Sequence, residues 1–302
     1  MIPAMTTSKQ RFRVERSRQG ATLVEYLAGE LGVSKRKAKS LLDRRCVFVN
    51  ERRIWMAGHR LSAGDCIEVH GSVGGSRRAP APAVIFSDGW YVIVDKKPDI
   101  VTCGADGLEG QLRLALGLPG LAAVHRLDRD TSGCVIFAKS PVALERAIEL
   151  FRQGGVSKQY RAIARGVMRE ESRSIRKAIS GQSSVTHVRV LDANRDASYL
   201  AVTIETGRTH QIRLHLASIR HPVVGDRQYG LMTEEDARFR RIGRQMLHAS
   251  GVRFKHPFTG QIVSVSAPLP GDFRACLGAL RLRAGGSTET VIRNPRDFGP
   301  VS

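Results

Sequence analysis

The sequence predicts an α+β chain in two parts: a small α/β module, then a larger body on a mixed, largely antiparallel central sheet with flanking helices. Three observations carry this. Composition breaks at "GSVGGSRRAPAPA", residues 71–83, where Gly, Ser, Pro and Arg dominate as in a flexible linker. The stretch before the break reads as two amphipathic helices followed by short strands. After it, strand-like runs follow one another through turns, with helices set apart and no strict βαβ alternation. A chain of 302 residues has room for about two such domains.

Residues 1–20 hold five basic side chains and one acidic one; they read as a flexible basic arm and lack the apolar core of a signal peptide. The first module spans 21–70. "LVEYLAGELG" has apolar residues at helical spacing and stops at Gly32. Ser34 reads as the N-cap of "KRKAKSLLDRR", whose inner face is Ala38, Leu41 and Leu42. Lys35, Arg36, Lys37 and Lys39 give that helix a one-signed charge, which solubility alone does not require and which suits an RNA backbone. "CVFVN" and "DCIEVH" are strand-like.

The body spans 84–280. "AVIFSDGWYVIVDKKP" reads as two strands around a Ser-Asp-Gly turn, "SGCVIFAKS" as a third and "PVALERAIELFRQG" as a helix. "KQYRAIARG", "THVRVLDAN" and "SYLAVTIET" are further strands. Gly207 allows a strand to turn sharply into a helix beginning near Thr209, on which His210 and Arg213, three apart, share a face. The tail, 281–302, has few apolar anchors and is expected to be disordered.

Charge limits the partners. Lys plus Arg number 48 against 28 Asp plus Glu, a net +20, which points to a polyanion. No apolar run approaches the ~18 residues of a membrane span, so nucleic acid is favoured over a membrane surface. Five scattered cysteines form no CxxC pair and no zinc spacing with histidine, as expected of a reduced cytoplasmic protein without a structural metal. Phosphate-loop, dinucleotide-binding, HExxH and GxSxG signatures are all missing.

Chemistry concentrates in three stretches. "HRLDRDTSG", 125–133, packs His125, Arg126, Asp128, Arg129 and Asp130 together directly after an apolar run. Alone it reads as a solvated loop, and its His, Asp and Ser are too close in sequence to argue for a hydrolytic triad. "SKQYRAIARG", 157–166, puts Tyr160 on a strand, where a tyrosine is most often a core aromatic. "TGRTHQIRLHLASIRHPVVGDRQYG", 206–230, holds Arg208, Arg213 and Arg220, ordinary surface charges if taken singly.

In that order, however, the three stretches resemble the signature segments of the RluA-type pseudouridine synthases. "DKKPDIVT" stands in the place of that family's "NKP" loop, and "MLHASGVRFKHPFTG" is similar to its closing segment, so the resemblance covers about 84–270. Residues 21–70, through "LGVSKRKAKSLLDRRCVFVN" and "RLSAGDCIEV", resemble the S-four-type RNA-binding domain, which usually has glycine at the positions of Arg45 and Glu51.

The resemblance implies the pseudouridine synthase fold and an enzyme that detaches uracil from its ribose, rotates it and rejoins it through carbon 5, without a cofactor. It implies Asp128 as the essential carboxylate, Arg213 as the partner that favours its charge and aims it, and Tyr160 as the residue that stacks on the base and assists proton removal. Arg126 follows the arginine that fills the gap left by the flipped base. His210 and Gln211 orient the site, and His125 and Arg208 position phosphates or backbone. The expected partner is RNA, ribosomal RNA of the large subunit ahead of transfer RNA; protein partners are not legible. The alternative is a non-catalytic RNA-binding or ribosome-assembly protein on a synthase scaffold, in which Asp128, Tyr160 or Arg213 should have been lost. A glycosidic hydrolase lacks a second carboxylate at a motif position and would release free uracil.

Overall fold

The structure, a computed structural model, describes residues 9–43, 47–54, 56–70, 82–230, 239 and 242–283. The chain divides into two compact units, 1–78 and 79–302. No helix among the described residues is long and apolar enough to cross a membrane.

In the first unit, helices α1 (Leu23–Glu30) and α2 (Lys35–Asp43) accompany an antiparallel sheet of β1 (Lys9–Arg13), β2 (Val47–Val49), β3 (Arg52–Arg53) and β4 (Cys66–His70), in the order β1-β4-β2-β3. Leu23, Leu27, Ala38, Leu42, Val47 and Ile67 are fully buried and form the core, so the apolar stripe read from the sequence is the packed one. The supposed flexible arm differs from that reading. Residues 9–13 pair with β4 along its whole length, and Arg11 bonds Glu68 opposite it. The pairing gives the backbone groups of this polar stretch partners, although its side chains carry little apolar signal. Residues 1–8, Arg44–Cys46, most of the 71–83 linker and residues 284–302 lie outside the described residues.

The second unit is built on one sheet. Its strands are β5 (Ala83–Ser87), β6 (Tyr91–Lys96), β7 (Ala122–Ala123), β8 (Ser132–Ala138), β9 (Val156–Arg165), β10 (Ser172–Arg176), β11 (Val185–Ala193), β12 (Ala197–Ile204), β13 (Leu247–Lys255) and β14 (Ile262–Ser266). The order is β10-β11-β12-β9-β13-β8-β6-β5, with β14 beside β13 and β7 beside β8. Neighbouring strands pair antiparallel except β13 with β8, which runs parallel through His248–Ser132 and Ala249–Gly133. The sheet is thus mixed and largely antiparallel, as the strand runs predict. Helices α3 (Leu108–Leu116), α4 (Pro141–Arg152), α5 (Gln211–Ser218) and α6 (Gly271–Ala279) are set apart from the strand runs. The parallel pair lies at the middle of the sheet, and the loops that reach its Ser132 end carry the chemistry.

Candidate active site

The loop between β7 and β8 holds Asp128, and buried polar groups fix it from several sides. Thr102 Oγ1 accepts from the Leu127 N–H and donates to the Leu127 carbonyl, both at 3.0 Å. Lys96, fully buried, donates to the carbonyls of Arg129 and Ile100 at 2.7 Å and of Lys97 at 3.1 Å. Burial pushes its pKa down to about 7, while three carbonyl acceptors match the three donors of the charged ammonium. Arg244 Nη1 donates to the Asp130 carbonyl at 3.0 Å while its other nitrogens grip Asp272.

The Thr-Ser-Gly that ends the loop has its own reasons. Thr131 Oγ1 accepts from Gln245, Ser132 Oγ lies 2.9 Å from His248 Nδ1, and Gly133 has φ +111° with its Cα close under the next strand. A Cβ there would sit 2.1 Å from the Ala249 carbonyl oxygen, so only glycine lets β8 meet β13.

The second segment arrives on α5. The helix starts at Gln211, two residues later than the sequence reading, because His210 takes the left-handed conformation (φ 55°, ψ 22°) at its N-cap. From this helix Arg213, 5% exposed, reaches Asp128 with Nη1–Oδ2 at 3.1 Å. Its stronger grip is on Asp226, Nε–Oδ2 2.6 Å and Nη2–Oδ1 2.9 Å, with Gln228 Oε1 3.3 Å from Nη2. Burial works against the Asp226 charge, but the Arg213 guanidinium and the N–H groups of Gln228 and Tyr229 outweigh it and hold the carboxyl below its usual range.

His210 Nε2 stands 3.6 Å from Asp128 Oδ1, and its Nδ1 lies 2.9 Å from the Tyr229 hydroxyl. Burial lowers the His210 pKa, so the neutral ring is favoured. Each oxygen of Asp128 therefore faces one group of the α5 segment.

An open cleft is lined by Asp128, Tyr160, Arg213, His210, Arg126, Arg208 and Gln211, with Leu127, Ile204, Ile212 and Leu247 as apolar wall. Tyr160, on β9, is 7% exposed. Burial first and the Asp128 charge second push its phenol far above the usual value, so it stands protonated. Arg126 and Arg208 are exposed at the cleft. Gln211 is buried and fully used: its oxygen accepts from Thr206 Oγ1 and the Arg208 N–H, and its nitrogen donates to Val185 and Thr186. It fixes the turn that carries Arg208.

His125 stands apart from the cleft. Its Nε2 accepts from the Ile136 N–H at 3.1 Å, and its ring packs 5.3 Å from Phe151. Burial and the Lys158 charge hold its pKa down to about 3, so it carries no charge for a phosphate. On α2, Lys35 pairs with Glu25 at 2.7 Å and Lys39 is exposed; the side chains of Arg36 and Lys37 lie outside the described residues.

Sequence reasoning missed Asp226 and Tyr229, although both stand in the "GDRQYG" run. The signal that could have found them was Arg213 itself, whose five donors exceed what one carboxylate can accept.

Comparison with known proteins agrees with this geometry. The RNA pseudouridylate synthase family matches residues 90–218. A ribosomal large subunit pseudouridine synthase D of Haemophilus influenzae is 30% identical, covering 93% of this chain and 96% of that protein. A ribosomal large subunit pseudouridine synthase C of Yersinia pestis is 31% identical over 88% and 93%. Among solved structures, human RNA pseudouridylate synthase domain containing 4 has a TM-score of 0.58 at 22% identity, covering 68% of this chain and 95% of its own. The corresponding domain containing 1 has 0.54 at 28%, covering 70% and 99%. The likeness runs through the segments that build the cleft and along nearly the whole of the first relative: the chain belongs to the RNA pseudouridylate synthase family.

Proposed function

We propose that this protein converts specific uridines of large-subunit ribosomal RNA to pseudouridine. The observation that carries the reading is the Asp128 carboxylate, one oxygen facing Arg213 and the other His210, in a cleft walled by Tyr160. The relatives' names supply the class of RNA.

In the isomerisation the bond from uracil N1 to ribose C1′ breaks, the base turns, a bond from C5 to C1′ forms, the C5 proton leaves and N1 takes up a proton in its place. Asp128 is the carboxylate of that exchange, as nucleophile or as the charge that stabilises the separated fragments. Arg213 holds its Oδ2 at 3.1 Å and is itself anchored by Asp226, so the attacking oxygen is aimed before substrate arrives. The Tyr160 ring supplies a face for the base; its hydroxyl, resting protonated, donates first and takes part in proton removal only as it passes its own proton on.

Reaching a base inside folded RNA requires its extrusion, and Arg126, exposed at the cleft, is the side chain to hold the gap open. Arg208 steadies the strand. The first unit acts as an S-four-type module whose Lys35, Arg36, Lys37 and Lys39 add backbone contacts, and the protein works in the cytoplasm.

The test is incubation of the purified full chain with an unmodified large-subunit ribosomal RNA transcript, followed by nucleotide-resolution mapping. Pseudouridine at discrete positions without free uracil is expected. Release of free uracil, or an RNA unchanged at every uridine, contradicts the proposal. Tyr160→Phe divides ring from hydroxyl: affinity for that RNA stays within about threefold of wild type while the single-turnover rate falls at least ~100-fold, the usual share of a proton-transfer group.

A further inference from the structure

Lys158 is a cation that the site described above leaves unused. It stands two residues before Tyr160 on β9. Its ammonium is half-buried and poorly served. The Thr206 carbonyl is 3.5 Å away, the Phe151 ring centroid 5.5 Å, and among the described residues no carboxylate pairs with it. Burial alone pushes its pKa down to about 8. Glu205, the acidic residue just before Thr206, is engaged by His187 at 2.7 Å. His125 feels the Lys158 charge and is uncharged itself, so it neither competes nor compensates.

Above this ammonium passes the turn that enters α5. Gly207 lines the cleft and is exposed, and a Cβ at that position would lie 3.6 Å from Lys158 Nζ. A bare glycine next to an unpaired, half-desolvated ammonium leaves room for an anion, and the exposed guanidinium of Arg208 follows directly in the chain. A lysine kept without a counter-ion costs stability that a structural stem need not incur, since methionine would fill the same space. The missing charge comes with the ligand.

The geometry points to Lys158 as a phosphate-binding residue: it takes a backbone phosphate of the RNA strand at the target nucleotide, beside the base held by Tyr160. This rests on the RNA-modifying reading of the cleft and adds a contact to it. A compact ammonium suits a phosphate oxygen approached end-on, whereas a guanidinium is the better fork for a base edge.

The experiment measures binding of the full chain to an unmodified large-subunit ribosomal RNA transcript at several salt concentrations, with pseudouridine formation followed in parallel. Lys158→Met keeps the stem over Phe151 and removes the charge; Lys158→Arg restores the charge. For Lys158→Met the slope of log affinity against log salt should fall by ~0.7–0.9, the share of a single phosphate. Affinity should drop roughly tenfold, with KM rising more than kcat falls, and Lys158→Arg should recover most of the slope. Wild-type salt slope in Lys158→Met, with or without a lower melting temperature, overturns the proposal. If Lys158→Met fails to fold, Lys158→Gln takes its place under the same criterion: a slope lower by ~0.7–0.9 upholds the contact and a wild-type slope contradicts it. The wild-type arm keeps the two readings apart: absence of pseudouridine there sinks the enzymatic reading, while the slopes still judge the phosphate contact.

Discussion

Arg213 has five N–H donors, and the structure sets Asp226, Asp128 and Gln228 around them. The fully buried Asp226 takes the bidentate grip, leaving Nη1 for the Asp128 carboxylate. Asp226→Asn should therefore act twice. It leaves the buried guanidinium with Asp128 alone of its two carboxylates, so the cost in denaturant unfolding stays below the ~3–5 kcal/mol of a fully unpaired buried charge, and it frees Arg213 to swing onto Asp128, silencing turnover. A pH series separates these effects. Because the folded pKa of Asp226 is depressed, its stabilisation is complete above the unfolded value of ~4 and is lost as pH falls through the folded one. Wild type should lose stability across that acid window more steeply than Asp226→Asn, and equal slopes would contradict the pairing. The residues of the cleft were legible where a segment had a motif: Asp128, Tyr160, Arg213, His210, Arg126, Arg208 and Gln211 all line it. Asp226 and Tyr229 were not, because their loop has no periodicity and its meaning depends on a helix partner 13 residues earlier. His125 misled because adjacency in sequence says nothing about side-chain direction once a loop turns back on a strand.

At the scale of elements, α1, α2 and α4 and strands β2, β4, β5, β6, β8, β9, β11 and β12 follow from apolar patterning and turn signals, whereas α3, α6, β10, β13 and β14 were not assigned from the sequence, and β1 depends on a long-range partner. Strand β1 bears polar side chains and pairs across 57 residues, from Arg11 to Glu68, so no local pattern announces it. The start of α5 shifts because His210 adopts a backbone that its residue type does not advertise. The two-residue turn between β2 and β3 shows the reverse. Asn50 and Glu51 both have positive φ, 48° and 65°, as a tight hairpin of the favoured hand demands, at a position where the resembling family usually has glycine. Glutamate there is strained. Glu51→Gly should raise the stability of the first unit by ~0.5–1 kcal/mol, read as a higher urea midpoint at unchanged slope. A lower midpoint would mean that the Glu51 side chain has a compensating contact.

The molecule as a whole carries +20 and divides into two compact units, the first of which holds α2 with Lys35 and Lys39. Removing residues 1–75 takes away the phosphate contacts proposed for α2 and leaves the cleft residues in place. The truncated chain should bind large-subunit ribosomal RNA more weakly, with a salt slope lower by ~0.7–0.9 for every phosphate it no longer neutralises, and still convert uridine when RNA is supplied in excess. An unchanged slope would make Lys35 and its neighbours an ordinary solvated face. The proposed chemistry converges on one carboxylate, so the most direct measurement is pseudouridine mapping in unmodified large-subunit ribosomal RNA after incubation with the full-length wild type and with Asp128→Asn at equal, saturating binding. The substitution keeps size and hydrogen-bonding capacity and removes the charge. Wild type should place pseudouridine at discrete sites while Asp128→Asn, binding the RNA within about threefold, places none; pseudouridine at those same sites from the variant would contradict the catalytic role of Asp128.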